Sequence, residues 1–83
     1  MRLLYFAWLR AKIGTAEEEL VLPQGVDDVA GLLAWLKGRG GGYAEALKNL
    51  EAVRVAVNQD YVGPKHKIGD GDEVAIFPPV TGG

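Results

Sequence analysis

Gly82 and Gly83 close the sequence, behind Pro78-Pro79-Val80-Thr81. The chemistry available there belongs to the terminal carbonyl. At neutral pH its carboxylate is ionised and a poor electrophile. As an acyl-adenylate it acquires a good leaving group, and a sulfur nucleophile can then displace AMP. Two residues without side chains let a narrow channel admit this end and leave the carbonyl open to attack. The prolines launch it stiffly. Extended proline-rich chain advances about 3.1 Å per residue, so the stretch from Pro78 reaches on the order of 18–20 Å. Residues 78–83 are thus shaped as a substrate: Gly83 reacts, and Pro78, Pro79, Val80, Thr81 and Gly82 carry it. A frayed end is the plainer reading, but it leaves the two prolines unexplained.

No other constellation competes. His66 is the sole histidine and sits between Lys65 and Lys67 in a polar stretch, so it reads as a solvated residue with no second histidine to share a metal. Asp70, Asp72 and Glu73 surround Gly71 without the ligand series of a calcium loop; a tight acidic turn accounts for them. The run Gly38–Gly42 lacks the Gly-Lys-Ser/Thr ending of a phosphate loop and reads as a flexible linker. The chain has no cysteine and no serine. That excludes a disulfide framework, a cysteine-based zinc or iron–sulfur site, and cysteine or serine nucleophiles. No metal and no permanently bound cofactor is expected, and the chain is not expected to be an enzyme by itself.

Eighty-three residues, 48% of them hydrophobic, fit one small domain. Nine basic against eleven acidic residues give a net charge of −2. Nucleic-acid binding usually requires a clustered basic surplus, and none exists. The apolar run Leu3–Leu9 is closed by Arg2 and Arg10, falls well short of the ~20 residues of a membrane span, and has no small-residue cleavage site. A soluble, cytoplasmic protein without nucleic-acid or membrane partners is expected.

The elements that must position the tail follow from periodicity and punctuation. Arg2 to Arg10, rich in aromatic and aliphatic residues, reads as a strand, and Glu17 to Leu22 as a second, making a hairpin. Asp27 is suited to cap a helix in which Val29, Leu32, Leu33 and Leu36 line one face. Gly38 ends it. Tyr43–Leu50 adds a short helix. Val53, Val55 and Val57 alternate with Arg54, Ala56 and Asn58 in a third strand. A turn at Asn58–Asp60 leads to a short extended piece at Tyr61–Val62, and Glu73–Phe77 is the last strand, stopped by proline. The expectation is an α+β fold of ubiquitin-like β-grasp order over residues 1–77: a mixed sheet covered on one face by one main helix, with a flexible tail at 78–83.

Parity assigns the faces. Val53, Val55, Val57, Val74 and Ile76 should meet the helix, together with Leu3, Tyr5, Ala7 and Leu9. Leu4, Phe6, Trp8, Ala56 and Phe77, with Tyr61, are left on the uncovered side. Such an apolar patch marks a docking surface, unless a loop or the short helix folds over it.

Val57-Asn58-Gln59, Asp70-Gly71-Asp72-Glu73-Val74-Ala75 and Phe77-Pro78-Pro79-Val80-Thr81-Gly82-Gly83 together resemble the small, sulfur-carrier subunit of molybdopterin synthase, the MoaD family of ubiquitin-like proteins. Phe6-Ala7 and Leu9-Arg10 are similar to that family's first strand. The resemblance implies that an E1-like adenylyltransferase uses ATP to adenylate Gly83. A sulfur donor such as a cysteine desulfurase or rhodanese then converts it to a thiocarboxylate. It further implies a heterotetramer with the large synthase subunit, which supplies the catalytic side chains and receives sulfur for cyclic pyranopterin monophosphate. Phe6, Trp8, Tyr61 and Phe77 would face that partner. Carriers serving thiamine or tRNA 2-thiouridine synthesis also end in Gly-Gly, and a ubiquitin-like protein modifier would use the same activated end on lysines.

Overall fold

The computed structural model describes residues 1–79; Val80, Thr81, Gly82 and Gly83 lie outside the described residues. The strands are β1 (Arg2–Tyr5), β2 (Glu17–Glu19), β3 (Arg54–Val57), β4 (Asp60–Val62) and β5 (Glu73–Phe77). The helices are α1 (Ala7–Ile13), α2 (Val29–Gly38) and α3 (Gly41–Ala46), with a 3-10 turn at Leu50–Ala52. One sheet forms in the order β2-β1-β5-β3-β4. Its first and last strands lie side by side and parallel, Leu3 opposite Val74 and Tyr5 opposite Ile76, and the other pairs are antiparallel. This is the mixed sheet under one main helix that the element order predicts.

The main helix forms where the spacing puts it. Val29, Leu32, Leu33 and Leu36 are its buried residues. Its cap is Asp28 rather than the expected Asp27: the Asp28 carboxylate accepts from the Gly31 backbone N–H at 2.8 Å, satisfying a donor the helix itself cannot use. Asp27 instead pairs with Lys67 at 3.2 Å. The inner face is as parity predicts for Leu3, Tyr5, Val53, Val55, Val57, Val74 and Ile76, all buried.

Three stretches differ from the sequence reading. The first strand stops at Tyr5, and residues 7–13 are helical rather than extended to Arg10. Ala7 at φ 55 turns the chain out of the sheet direction, after which Leu9 and Ile13, four apart, share a face toward the core. Helix formers Ala11, Lys12 and Arg10 outweigh the aromatic run that suggested a strand. Ala7 is consequently exposed, not inward. Gly14 ends α1 at φ 95, its N–H bonded to the Arg10 carbonyl at 2.8 Å.

The second strand ends at Glu19 rather than Leu22. Beyond it the Leu22 N–H is drawn to the Asp70 carboxylate at 2.7 Å, which takes the chain off the sheet edge.

Gly38–Gly42 is no linker. Gly38 closes α2, Gly40 turns the chain at φ 76, and Gly41 and Gly42 open α3. A Cβ on Gly42 would collide with the Lys12 carbonyl oxygen, so this glycine lets α3 lie backbone to backbone on the end of α1. The short helix expected at Tyr43–Leu50 is accordingly earlier, and Leu50 belongs to the 3-10 turn whose Asn49 side chain accepts from the Glu51 N–H.

Candidate functional site: the uncovered sheet face at the root of the tail

The register of the sheet arranges the outer face in rows. Glu19, Arg2 and Glu73 form one row across β2, β1 and β5. Glu17, Leu4, Ala75, Ala56 and Tyr61 form the next, reaching across the whole sheet. Phe77 and Arg54 stand opposite each other in the last row. Phe6 joins them on the β1 side, its N–H donating to the Ile76 carbonyl at 3.1 Å. The face is therefore charged at one end, small and apolar in the middle, and aromatic where the tail begins.

The aromatic end is partly open to water. Phe6 is 46% exposed and Tyr61 74% exposed. Tyr61 leans on the half-buried Phe77, ring centroids 5.3 Å apart at 44°, a tilted contact that suits two aromatic quadrupoles. Ala56 shares this face as expected but is enclosed by its cross-strand neighbours and only 6% exposed. The buried residues of α1, α2 and α3 join the core on the other side of the sheet, with Leu3, Tyr5, Val74 and Ile76. Trp8 needs correction: it lies on α1, not on a strand, so it holds no place in the rows, although it is 38% exposed. Its type and position gave a face only under the assumption that β1 continued.

Pro78 and Pro79 follow Phe77 and are half-buried. Neither can donate to a ladder, so β5 ends in the row that holds Phe77 and Arg54, and the tail starts there. The expectations for Val80, Thr81, Gly82 and Gly83 fall outside the described residues.

The opposite side of the sheet carries a polar cluster that the sequence reading missed. Glu18 pairs with Leu3 across β1 and so faces inward between Glu17 and Glu19. Its carboxylate accepts from the Tyr5 hydroxyl at 2.8 Å, the Tyr43 hydroxyl at 2.6 Å and the Arg39 guanidinium at 2.8 Å. Burial alone would raise its pKa, but donation by Arg39, Tyr43 and Tyr5 holds it below the ordinary glutamate value. Burial and the neighbouring carboxylate push the Tyr5 phenol up instead. Arg39 also stacks 4.3 Å from the Tyr43 ring centroid. Strand parity within the Glu17–Glu19 run was the available signal: an inward glutamate needs donors. The cluster ties β2 to the ends of α2 and α3, and Glu18 also lines, with Arg2, Glu17 and Glu19, an open hollow of about 310 Å³.

A mostly apolar groove of about 440 Å³ lies between α2 and β3–β4, lined by Leu33, Leu50, Val53 and Val55 among others, with Glu51 and Arg54 as its charged lining residues. Among the described residues no group of histidine or acidic side chains is arranged to hold a metal, and no helix is long and apolar enough to cross a membrane.

A sequence profile described as the ThiS family matches residues 3–83. The molybdopterin synthase sulfur carrier subunit of Escherichia coli (strain K12) is 37% identical over 83 residues, covering all of this chain and 99% of that protein. The protein of the same name from Mycobacterium tuberculosis (strain ATCC 25618 / H37Rv) is 34% identical, covering 100% of this chain and 96% of its own length. Among solved structures, a putative molybdopterin converting factor, subunit 1, from Pyrococcus furiosus is 35% identical with a TM-score of 0.75, over 95% of each chain. SAMP1 from Haloferax volcanii is 26% identical with a TM-score of 0.74, over 100% of this chain and 98% of its own. With these neighbours the sheet and helix arrangement is the ubiquitin-like β-grasp.

Proposed function

The chain belongs to the ThiS family, and from that footing we propose that it is the sulfur-carrying small subunit of a molybdopterin synthase, with Gly83 as the reacting residue. The observation that carries this reading is the end-to-end likeness to proteins named molybdopterin synthase sulfur carrier subunit, with a family match that runs to residue 83.

The chemistry is balanced at the terminal carbonyl. A carboxylate oxygen of Gly83 attacks the α-phosphorus of ATP on an E1-like adenylyltransferase, and pyrophosphate leaves. The outer sulfur of a persulfide on a cysteine desulfurase or rhodanese type of donor then attacks the acyl carbon, and AMP departs with the oxygen that bridged to phosphorus. A thiol next attacks the donor's inner sulfur, forming a disulfide with it and releasing the thiocarboxylate. On the large synthase subunit that sulfur is transferred to cyclic pyranopterin monophosphate. In this reading the adenylyltransferase holds the nucleotide, and the carrier presents its tail from the end of β5, beside the Phe6, Tyr61 and Phe77 surface on which the large subunit docks. Trp8, exposed on α1, is kept in this reading as a further contact for the large subunit.

The resemblance to SAMP1, a small archaeal modifier protein, favours a second reading, in which a lysine amine meets the activated glycine and a protein conjugate results. One experiment separates the two. The full chain is incubated with ATP, the adenylyltransferase and a sulfur donor, and its intact mass is measured. A gain equal to the difference between one sulfur and one oxygen atom is expected for the carrier. Higher-mass conjugates in place of that gain would show the modifier instead, and an unchanged mass would overturn both.

A further inference from the structure

Resting on the reading of the outer face as the docking surface, we propose that Arg54 sets the polarity of docking by taking a carboxylate of the large synthase subunit where the tail leaves the sheet. Charges on this face are sorted by row. Glu19, Arg2 and Glu73 share the row farthest from the tail, and Glu17, at the edge of the next, is ion-paired with Arg2. Carboxylates outnumber guanidinium groups there. At the other end Arg54 stands alone, directly opposite Phe77.

Arg54 is also prepared for such a partner. Its Nη1 donates to the Glu51 carbonyl at 2.9 Å and to the Val53 carbonyl at 3.1 Å. Those bonds orient the guanidinium plane on an otherwise exposed residue, and they leave its remaining N–H groups for another acceptor. It takes part in none of the ion pairs among the described residues. An oriented guanidinium binds a carboxylate in two parallel hydrogen bonds with less entropy lost than a free one. Beside it, Phe77 and Tyr61 supply the apolar contact that excludes water and strengthens the pair.

The consequence is orientation. A partner with an acidic group over Arg54 and basic groups over Glu19 and Glu73 is attracted in one direction; turned around, its acid meets three carboxylates. Because the tail starts in Arg54's row, the favoured direction also fixes the end of the interface at which the tail leaves the sheet.

The test is association of the full-length protein with its cognate large subunit, followed by stopped-flow kinetics at low and near-physiological salt. Arg54→Gln is expected to slow association about tenfold and flatten its salt dependence, and Arg54→Glu to slow it further. Arg54→Lys should keep the association rate and shorten the lifetime of the complex, since a point charge lacks the two-pronged geometry. Melting temperatures should be equal across the series. Wild-type rates and salt dependence in Arg54→Gln and Arg54→Glu would overturn this inference alone. An unaltered protein that forms no complex would overturn the large-subunit reading and this inference with it.

Discussion

Glu18 illustrates how much one side chain can hold in a chain this short. Its carboxylate is the common acceptor for Tyr5, Tyr43 and Arg39, so replacing it leaves two phenols and a guanidinium short of a partner. Glu18→Gln is expected to cost about 1.5–3 kcal/mol at neutral pH, the range for hydrogen bonds to a charged group, read from urea denaturation. The pH dependence has a definite sign. The folded carboxyl titrates below its unfolded value, so its contribution is full above the ordinary glutamate range near 4.3 and fades as pH falls through the depressed folded value. The gap between wild type and Glu18→Gln should therefore close in acid; a gap constant from neutral to acid pH would contradict the ionised cluster. Tyr5 acts in the opposite limb. Its proton is held more tightly in the fold, so stability declines once the unfolded phenol begins to ionise near pH 10.

Among the elements, legibility followed the strength of periodicity. In α2 four apolar residues at helical spacing, between an aspartate and a glycine, admitted one interpretation, and the alternating valines of β3 admitted one as well. Residues 6–13 did not. Leu9 and Ile13 give a single helical repeat, too little to oppose the aromatic run before them, and the turn at Ala7 uses a backbone conformation that alanine rarely adopts. Gly41 and Gly42 misled for a related reason: glycine is read as a loop signal, whereas here Gly41 supplies a left-handed backbone turn at φ 54 and the missing side chain of Gly42 is a packing requirement. That contrast is measurable. Gly42→Ala should lose about 1–3 kcal/mol, because the new methyl meets the Lys12 backbone. Gly38→Ala, at the last turn of α2 with open space around it, should gain up to about 0.5–1 kcal/mol from reduced unfolded-state freedom. Equal effects at the two positions, seen as equal shifts in denaturation midpoint, would rule out the close approach of α3 to α1.

At the scale of the molecule, the domain separates the work of folding from the work of presentation. Apart from the buried Ala56, the core lies on the inner side, and the outer face was legible from strand parity because the charged positions Arg2, Arg54 and Glu73 fixed which side faced water. Trp8 was misplaced since parity carries no meaning once the strand has ended. Phe77→Asp tests the separation from one direction. It should weaken binding to the large subunit by about tenfold or more, the scale of an interface anchor, while moving stability by about 1 kcal/mol or less for a half-buried position outside the core. Unchanged affinity in a binding titration would remove Phe77 from the interface. Deletion of Gly83 tests it from the other. Sulfur acceptance, measured by intact mass, should vanish with the melting temperature unchanged; a shortened chain that still gains sulfur would refute the role assigned to that carbonyl.

The central parallel pairing of β1 with β5 governs how the protein responds to being pulled. A partner that grips the carboxyl end draws on β5 along its own axis, with β1 and β3 bonded on either flank. Traction in that direction strains the lateral hydrogen bonds together, as in a lap joint, instead of peeling them one after another. An enzyme can therefore tug the end into a deep cleft and let it go again over many cycles, and the globule behind it keeps its shape.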